Sequence, residues 1–237
     1  MYYPEEFGGA FREILKSLEG KRVAILGHLR PDADCIGSQV ALCRILQSQG
    51  VEAVCLNQHP TPRVLLPFVA DTPWASPEDF DPAGWTAVAV DCADTSRFGP
   101  VIQSFFPTYL ANIDHHRSNP EYAQHNIVDA NSAATGEMLS GLFLDSGLEI
   151  DAVTAQALFV AIATDTGHFR YAATGPRVFE LCAELLRRGA SPALTSEHLF
   201  ENEPFAKIDL LRRFLGSVQL DLDGRLCYGV LPYGIFE

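Results

Sequence analysis

Over roughly the first 185 residues, short unbroken apolar runs alternate with longer segments whose apolar positions recur every three to four residues. The run "KRVAILG" (21–27) ends in glycine and predicts a buried strand, and "VEAVCLN" (51–57), "TAVAVD" (86–91) and "TYLANI" (108–113) predict three more. Between them "CIGSQVALCRILQSQG" (35–50) predicts a helix closed by Gly50. "DAVTAQALFVAIAT" (151–164) and "PRVFELCAELLRRG" (176–189) predict two further helices. The stretch 59–85 is rich in proline and aspartate and predicts irregular chain with room for one short helix. Strand–helix alternation of this kind implies an α/β fold, with a parallel or mostly parallel sheet covered by helices on both faces.

The pattern changes after residue 190. "GASPALTSEHLFENEPFAK" reads as a short helical linker, "IDLLRRFLGS" as a helix, and "VQLDLDGRLCYGVLP" as a hairpin turning at Asp223-Gly224. Some 30 residues are too few for an independent domain. The expected organisation is therefore a catalytic α/β domain over 1–190, a linker over 191–205, and the opening of an incomplete second α/β domain over 206–237.

Composition narrows the function classes. Of 237 residues, 47% are hydrophobic and 20% charged, the profile of a globular chain without a membrane-spanning run. The N-terminal stretch is acidic and amphipathic, unlike an export signal, which leads to an expectation of the cytoplasm. The net charge of −13 argues against long nucleic acid as a partner, because gripping a phosphate backbone needs a basic face. It leaves room for a small phosphorylated substrate held through cations. The six cysteines are scattered, without a C-x-x-C pair, and are expected to be reduced thiols, mostly buried.

In an open α/β sheet, ligands bind beyond the carboxyl ends of the strands. Four apolar segments end in acids or histidines, and all four are read as strand ends. "HLRPDAD" supplies His28, Asp32 and Asp34; "VDCAD" supplies Asp91; "DHH" supplies Asp114, His115 and His116; "TDTGHF", after the apolar run 157–164, supplies Asp165 and His168. Taken singly, Asp34 could cap the helix that follows it, and Asp91 could be a turn residue. Four such clusters on one edge would gather more carboxylates than apolar surroundings tolerate without cations. A carboxylate–imidazole set without thiolates favours Mn²⁺, Mg²⁺ or a related divalent ion over structural zinc.

In this order, "HLRPDADCIGS", "VDCAD", "DHHRSN" and "TDTGHFRY" resemble the four motifs of the DHH phosphoesterase superfamily, over residues 28–171. With "GEM" after "NSAAT", they look most like the branch of nanoRNases and 3′-phosphoadenosine 5′-phosphate (pAp) phosphatases. The resemblance implies two divalent ions, Mn²⁺ first with Mg²⁺ or Co²⁺ as alternatives, sharing Asp91. His28 and Asp32 would complete one site, and Asp34, His115 and Asp165 the other. His116 would face the scissile phosphate as hydrogen-bond donor or general acid, and Asp114 would orient a histidine. Arg117, Ser118, Asn119, Arg170 and His168 are candidate substrate contacts. Gly37 is expected to let its helix approach the sheet. His59, His125 and His198 fall outside the motifs and are read as loop or surface residues.

Two positions depart from the family's pattern: Arg30 stands where asparagine is common, and Ala33 where glycine is common. Relatives also carry a glycine-rich nucleotide-gripping motif in their second (DHHA1) domain, and none follows residue 206 here. The expected activity is two-metal hydrolysis of phosphate esters in pAp or in oligoribonucleotides of 2–5 nucleotides. A cyclic-dinucleotide phosphodiesterase and a manganese inorganic pyrophosphatase are the enzymatic alternatives; a metal-stabilised regulatory domain, inactive without its second domain, is the non-enzymatic one. A homodimer is left open.

Overall fold

The computed structural model describes residues 1–235, so the final two positions of the expected second domain lie outside the described residues. The chain divides into two compact units, Met1–Ala193 and Leu194–Glu237. In the first unit the elements run α1 (Glu5–Leu18), β1 (Arg22–Leu26), α2 (Ala33–Ser48), β2 (Glu52–Leu56), β3 (Trp74–Ala75) and β4 (Trp85–Val90). They continue with α3 (Pro100–Phe105), β5 (Ala111–Asp114), β6 (His125–Val128), α4 (Thr135–Asp145), α5 (Ala152–Asp165) and α6 (Pro176–Arg187). A short helix, α7 (Pro192–Ser196), and a helical turn over Glu197–Glu201 occupy the stretch expected as linker.

The six strands form one sheet in the order β3-β2-β1-β4-β5-β6, and every pairing is parallel. Alternation along the strands assigns the faces. Val23 and Ile25 of β1 point into the larger core, with Phe11, Leu42, Leu46, Phe143 and Leu158 from the helices. Ala24 and Leu26 point the other way, against Phe98, Ile102, Phe106 and Tyr109. The inner strands β1, β2 and β4 thus have two buried faces, which is why their sequences are largely apolar rather than alternating. The chain leaves β1 towards β2 and β3, then returns to place β4 on β1's other side. The strand order reverses there, and such a switch point opens a crevice at the carboxyl ends.

Four expectations need correction. Asp165 ends helix α5, the helix predicted over 151–164, and so does not stand at a strand end with the other three clusters. Gly37 admits a close approach to α5 rather than to the sheet, since a Cβ there would lie 2.4 Å from the Ala157 carbonyl oxygen. The cap of α2 is Asp32, whose carboxylate accepts from Cys35 N–H at 3.0 Å, while Asp34 lies inside the first turn. His125, read as loop or surface, opens strand β6. Of the six cysteines, five are buried and Cys227 is exposed, all as free thiols.

The second unit contains α8 (Phe205–Gly216) and an antiparallel pair, β7 (Gln219–Asp221) with β8 (Leu226–Tyr228). Leu222, Asp223 and Gly224 all have positive φ in the expected turn.

Candidate metal centre

The reversal between β1 and β4 determines what can meet. β1 delivers His28 just past its end; the turn that follows presents Asp32, and the first turn of α2 presents Asp34. Asp91 stands at the tip of β4 with φ +53°, a left-handed conformation that aspartate tolerates better than most residues. Asp114 is the last residue of β5, and His115 and His116 follow it. Asp165 arrives from the far side, at the end of α5.

These groups converge on Asp91. His28 Nε2 lies 3.5 Å from one Asp91 oxygen, and His115 Nε2 lies 3.6 Å from the other. His115 Nε2 is also 3.2 Å from Asp165 and 3.8 Å from Asp34, and His28 Nε2 is 3.7 Å from Asp32. Most of these separations are too long for hydrogen bonds. They are close to the separation of about 3.0–3.6 Å between donors held at about 2.1 Å from a shared cation, so small side-chain adjustments would bring them onto one. Among the described residues, three groups are compact enough to hold a metal ion: His28/Cys35/Asp91, Asp91/His115/His116 and Asp34/His115/Asp165. Asp91 belongs to two of them and His115 to two. Cys35 enters one in place of Asp32, a thiol the sequence reading did not weigh.

Electrostatics supports the same reading. Asp34 and Asp91 are at most 2% exposed. Burial first, and then neighbouring carboxylates, push both carboxyls above the usual range. His28 and His115 move up although burial opposes it, because carboxylates surround them. Charges of one sign forced together in a dry site are what a divalent cation relieves. His116 is held differently: its Nδ1 donates to Asp114 Oδ1 at 2.7 Å, which keeps the imidazole above its ordinary value. Asp114, fully buried, is held low despite burial by His116 and by Asn119 Nδ2 at 2.6 Å.

A turn over residues 129–137 holds the cluster from behind, and the sequence reading missed its role. Thr135 N–H and Gly136 N–H donate to the two oxygens of Asp34 at 2.7 and 2.8 Å, and Thr135 Oγ1 donates to Asp91 at 3.1 Å. His115 Nδ1 meets the Ser132 carbonyl at 3.3 Å, which leaves Nε2 for the cluster. The turn is pinned by buried Glu137, which accepts from Ala133 N–H and from Arg177 Nε, both at 2.6 Å. The quoted "GEM" was the available signal; nothing local pointed to Arg177, 40 residues on.

The candidate substrate contacts are placed less uniformly. Asn119 is committed to Asp114 and caps the turn to Glu121 N–H. Arg117 and Ser118 are exposed. Arg170 is also exposed and donates to Gly167 O at 2.7 Å, and His168 has φ +62° beside Phe169.

Comparison with known proteins gives this geometry a context. The profile described as "DHH family, N-terminal domain" matches residues 22–164. The bifunctional oligoribonuclease and PAP phosphatase NrnA of Thermus thermophilus is 35% identical over 221 residues, covering 93% of this chain and 66% of that protein. A probable manganese-dependent inorganic pyrophosphatase of Deinococcus radiodurans is 30% identical over 158 residues, 62% of this chain and 48% of that protein. The crystal structure of an exopolyphosphatase-related protein from Bacteroides fragilis superposes with a TM-score of 0.82 at 18% identity, over 93% of this chain and 67% of that one. The chain spans about two thirds or less of the length of these relatives. No helix among the described residues is long and apolar enough to cross a membrane.

Proposed function

The chain belongs to the DHH family, and from that premise we propose that it hydrolyses phosphate esters of very short oligoribonucleotides or of pAp, with two divalent cations, Mn²⁺ first, at the Asp91 cluster. The observation that supports it is the shared carboxylate: one oxygen of Asp91 faces His28 and the other faces His115. His28, Asp32 and Asp91 would hold one ion, with Cys35 at its back. Asp34, Asp91, His115 and Asp165 would hold the second. When bound, such a pair lowers the pKa of a water and neutralises charge on the phosphoryl oxygens.

The chain's own residues supply the rest. Asp114 fixes the His116 ring through Nδ1 and favours the protonated imidazole, so Nε2–H is left to donate to a phosphoryl oxygen or to the leaving oxygen. Asn119 fixes Asp114 in turn. Thr135 and Gly136 keep Asp34 aimed into the crevice, so the acids are in place before substrate arrives. The acidic chain disfavours long polyanions, which fits a substrate that reaches the centre with few phosphates.

The test is a Mn²⁺-dependent hydrolysis assay across pAp, dinucleotides, cyclic dinucleotides and pyrophosphate. The reading expects turnover of pAp or dinucleotides, abolished by EDTA. It also expects a drop of about 100-fold or more in kcat for His116→Ala. Turnover confined to pyrophosphate, or unchanged by that substitution, would overturn it.

A further inference from the structure

The sheet edge that carries the metal centre also carries a cavity of about 710 Å³ beyond the ends of β2 and β3. That volume lies within the roughly 300–1,000 Å³ typical of small-molecule sites. Its apolar wall is Trp74, Leu66 and Val69; its polar wall is Gln58, His59 and Glu78. No lysine or arginine lines it, and Glu78 adds a negative charge, so it is no place for a phosphate. An aromatic ring beside amide, imidazole and carboxylate groups suits a flat, uncharged heterocycle with donors and acceptors on its rim. Trp74 is only partly buried, so part of its indole remains open to the cavity it lines.

The cavity wall is fastened to the metal-bearing loop. Asn57, which lines the cavity, accepts from Gly27 N–H at 2.9 Å, one residue before His28. His59 Nδ1 accepts from Arg30 N–H at 3.2 Å, two residues after it. Neighbouring strands lie about 4.8 Å apart, so the ends of β2 and β3 stand about 5–10 Å from the end of β1. Arg30 occupies the ground between, exposed and with φ +53°.

We propose that this cavity is the subsite for the base of the nucleotide whose phosphate reaches the metal centre, with Arg30 meeting the sugar–phosphate between them. The proposal rests on the phosphoester reading above and adds the element of that substrate the cluster does not recognise. It also gives the departure at position 30 a use: a cation sits where the connecting phosphate passes.

The experiment uses the full chain carrying Trp85→Phe, which leaves Trp74 as the sole tryptophan. Its fluorescence is followed in EDTA, without turnover, against adenosine, AMP and ribose 5-phosphate. Adenosine and AMP are expected to quench Trp74, and ribose 5-phosphate is expected not to. Trp74→Leu, followed by calorimetry, should weaken AMP binding about tenfold. Glu78→Gln, an exposed change that spares the core, should alter the preference between adenosine and uridine. Equal quenching by ribose 5-phosphate, absence of quenching by adenosine, or an AMP affinity within twofold of wild type in Trp74→Leu would overturn the proposal. Adenosine quenching bears on the cavity and hydrolysis on the phosphoester reading, so the two fail separately.

Discussion

Replacing Asp91 by asparagine should separate two effects of one carboxylate, what it costs the empty fold and what it gives the loaded one. The amide keeps the size, the tolerance for φ +53° and an acceptor for Thr135 Oγ1, and it removes the charge. In wild type, saturating Mn²⁺ at 100 times its Kd stabilises by about 2.7 kcal/mol per site, or about 5.4 kcal/mol for two. At about 2–4 °C per kcal/mol for a domain of this size, Tm should rise by about 10–20 °C above its value in EDTA. Because Asp91 faces both His28 and His115, the single change should reduce that rise to less than about 3 °C. In EDTA the sign reverses. Burial raises the folded-state pKa of Asp91 above its unfolded value, so ionisation weakens the empty fold as pH climbs from about 4 through the folded value. At neutral pH Asp91→Asn should therefore melt at or above wild type. The assay is thermal unfolding of both proteins with EDTA and with Mn²⁺. A variant that keeps the full Mn²⁺ shift, or melts well below wild type in EDTA, would refute the shared-ligand argument.

Arg177→Met strands Glu137, only 2% exposed, without its cation, and should cost about 3 kcal/mol by urea denaturation while weakening Mn²⁺ affinity about tenfold or more. Glu137→Gln, which can still accept from Ala133 N–H, should be milder on both counts. Gly37→Ala forces α2 and α5 apart and should lower stability by about 1–3 kcal/mol, read as a lower urea midpoint. Arg44 and Thr154 N–H hold Asp151 down to about 2 although burial opposes them, so that contribution is present above about pH 4 and fades as pH falls towards 2. Asp151 is half exposed, so Arg44→Met should cost no more than about 1 kcal/mol at pH 6, a gap that urea midpoints near pH 2 should show closing.

Features that depend on neighbours in sequence were legible, and those that depend on distant partners were not. Continuous apolar runs and their glycine or aspartate endings located β1, β2, β4 and β5 to within a few residues, because a parallel strand is buried on both faces and ends at a turn. The hairpin at Asp223-Gly224 was equally local. Helix α4 escaped notice because its N-cap, Ala134, offers no side-chain acceptor, and the missing acceptor is Asp34, 101 residues earlier than Thr135. Asp165 was grouped with the strand ends because it follows an apolar run as they do, although that run predicts a helix, which it is. At the site, His28, Asp34, Asp91, His115 and Asp165 stood out through motif order. Cys35 and Arg177 did not, since a buried thiol and a helix-borne arginine carry no local mark of what they touch.

Asp34 thus closes the start of α4 from another helix, and this gives the centre a built-in reporter. The amides of Thr135 and Gly136 are two of the four donors that a helix leaves without intrahelical partners, and here their protection depends on a carboxylate from α2. Their hydrogen-exchange rates therefore measure how firmly α2 and α4 hold together, with no substrate and no turnover. They also tie the folding of α4 to the arrival of α2, so the two ends of a 101-residue loop must meet before the crevice acquires its acids.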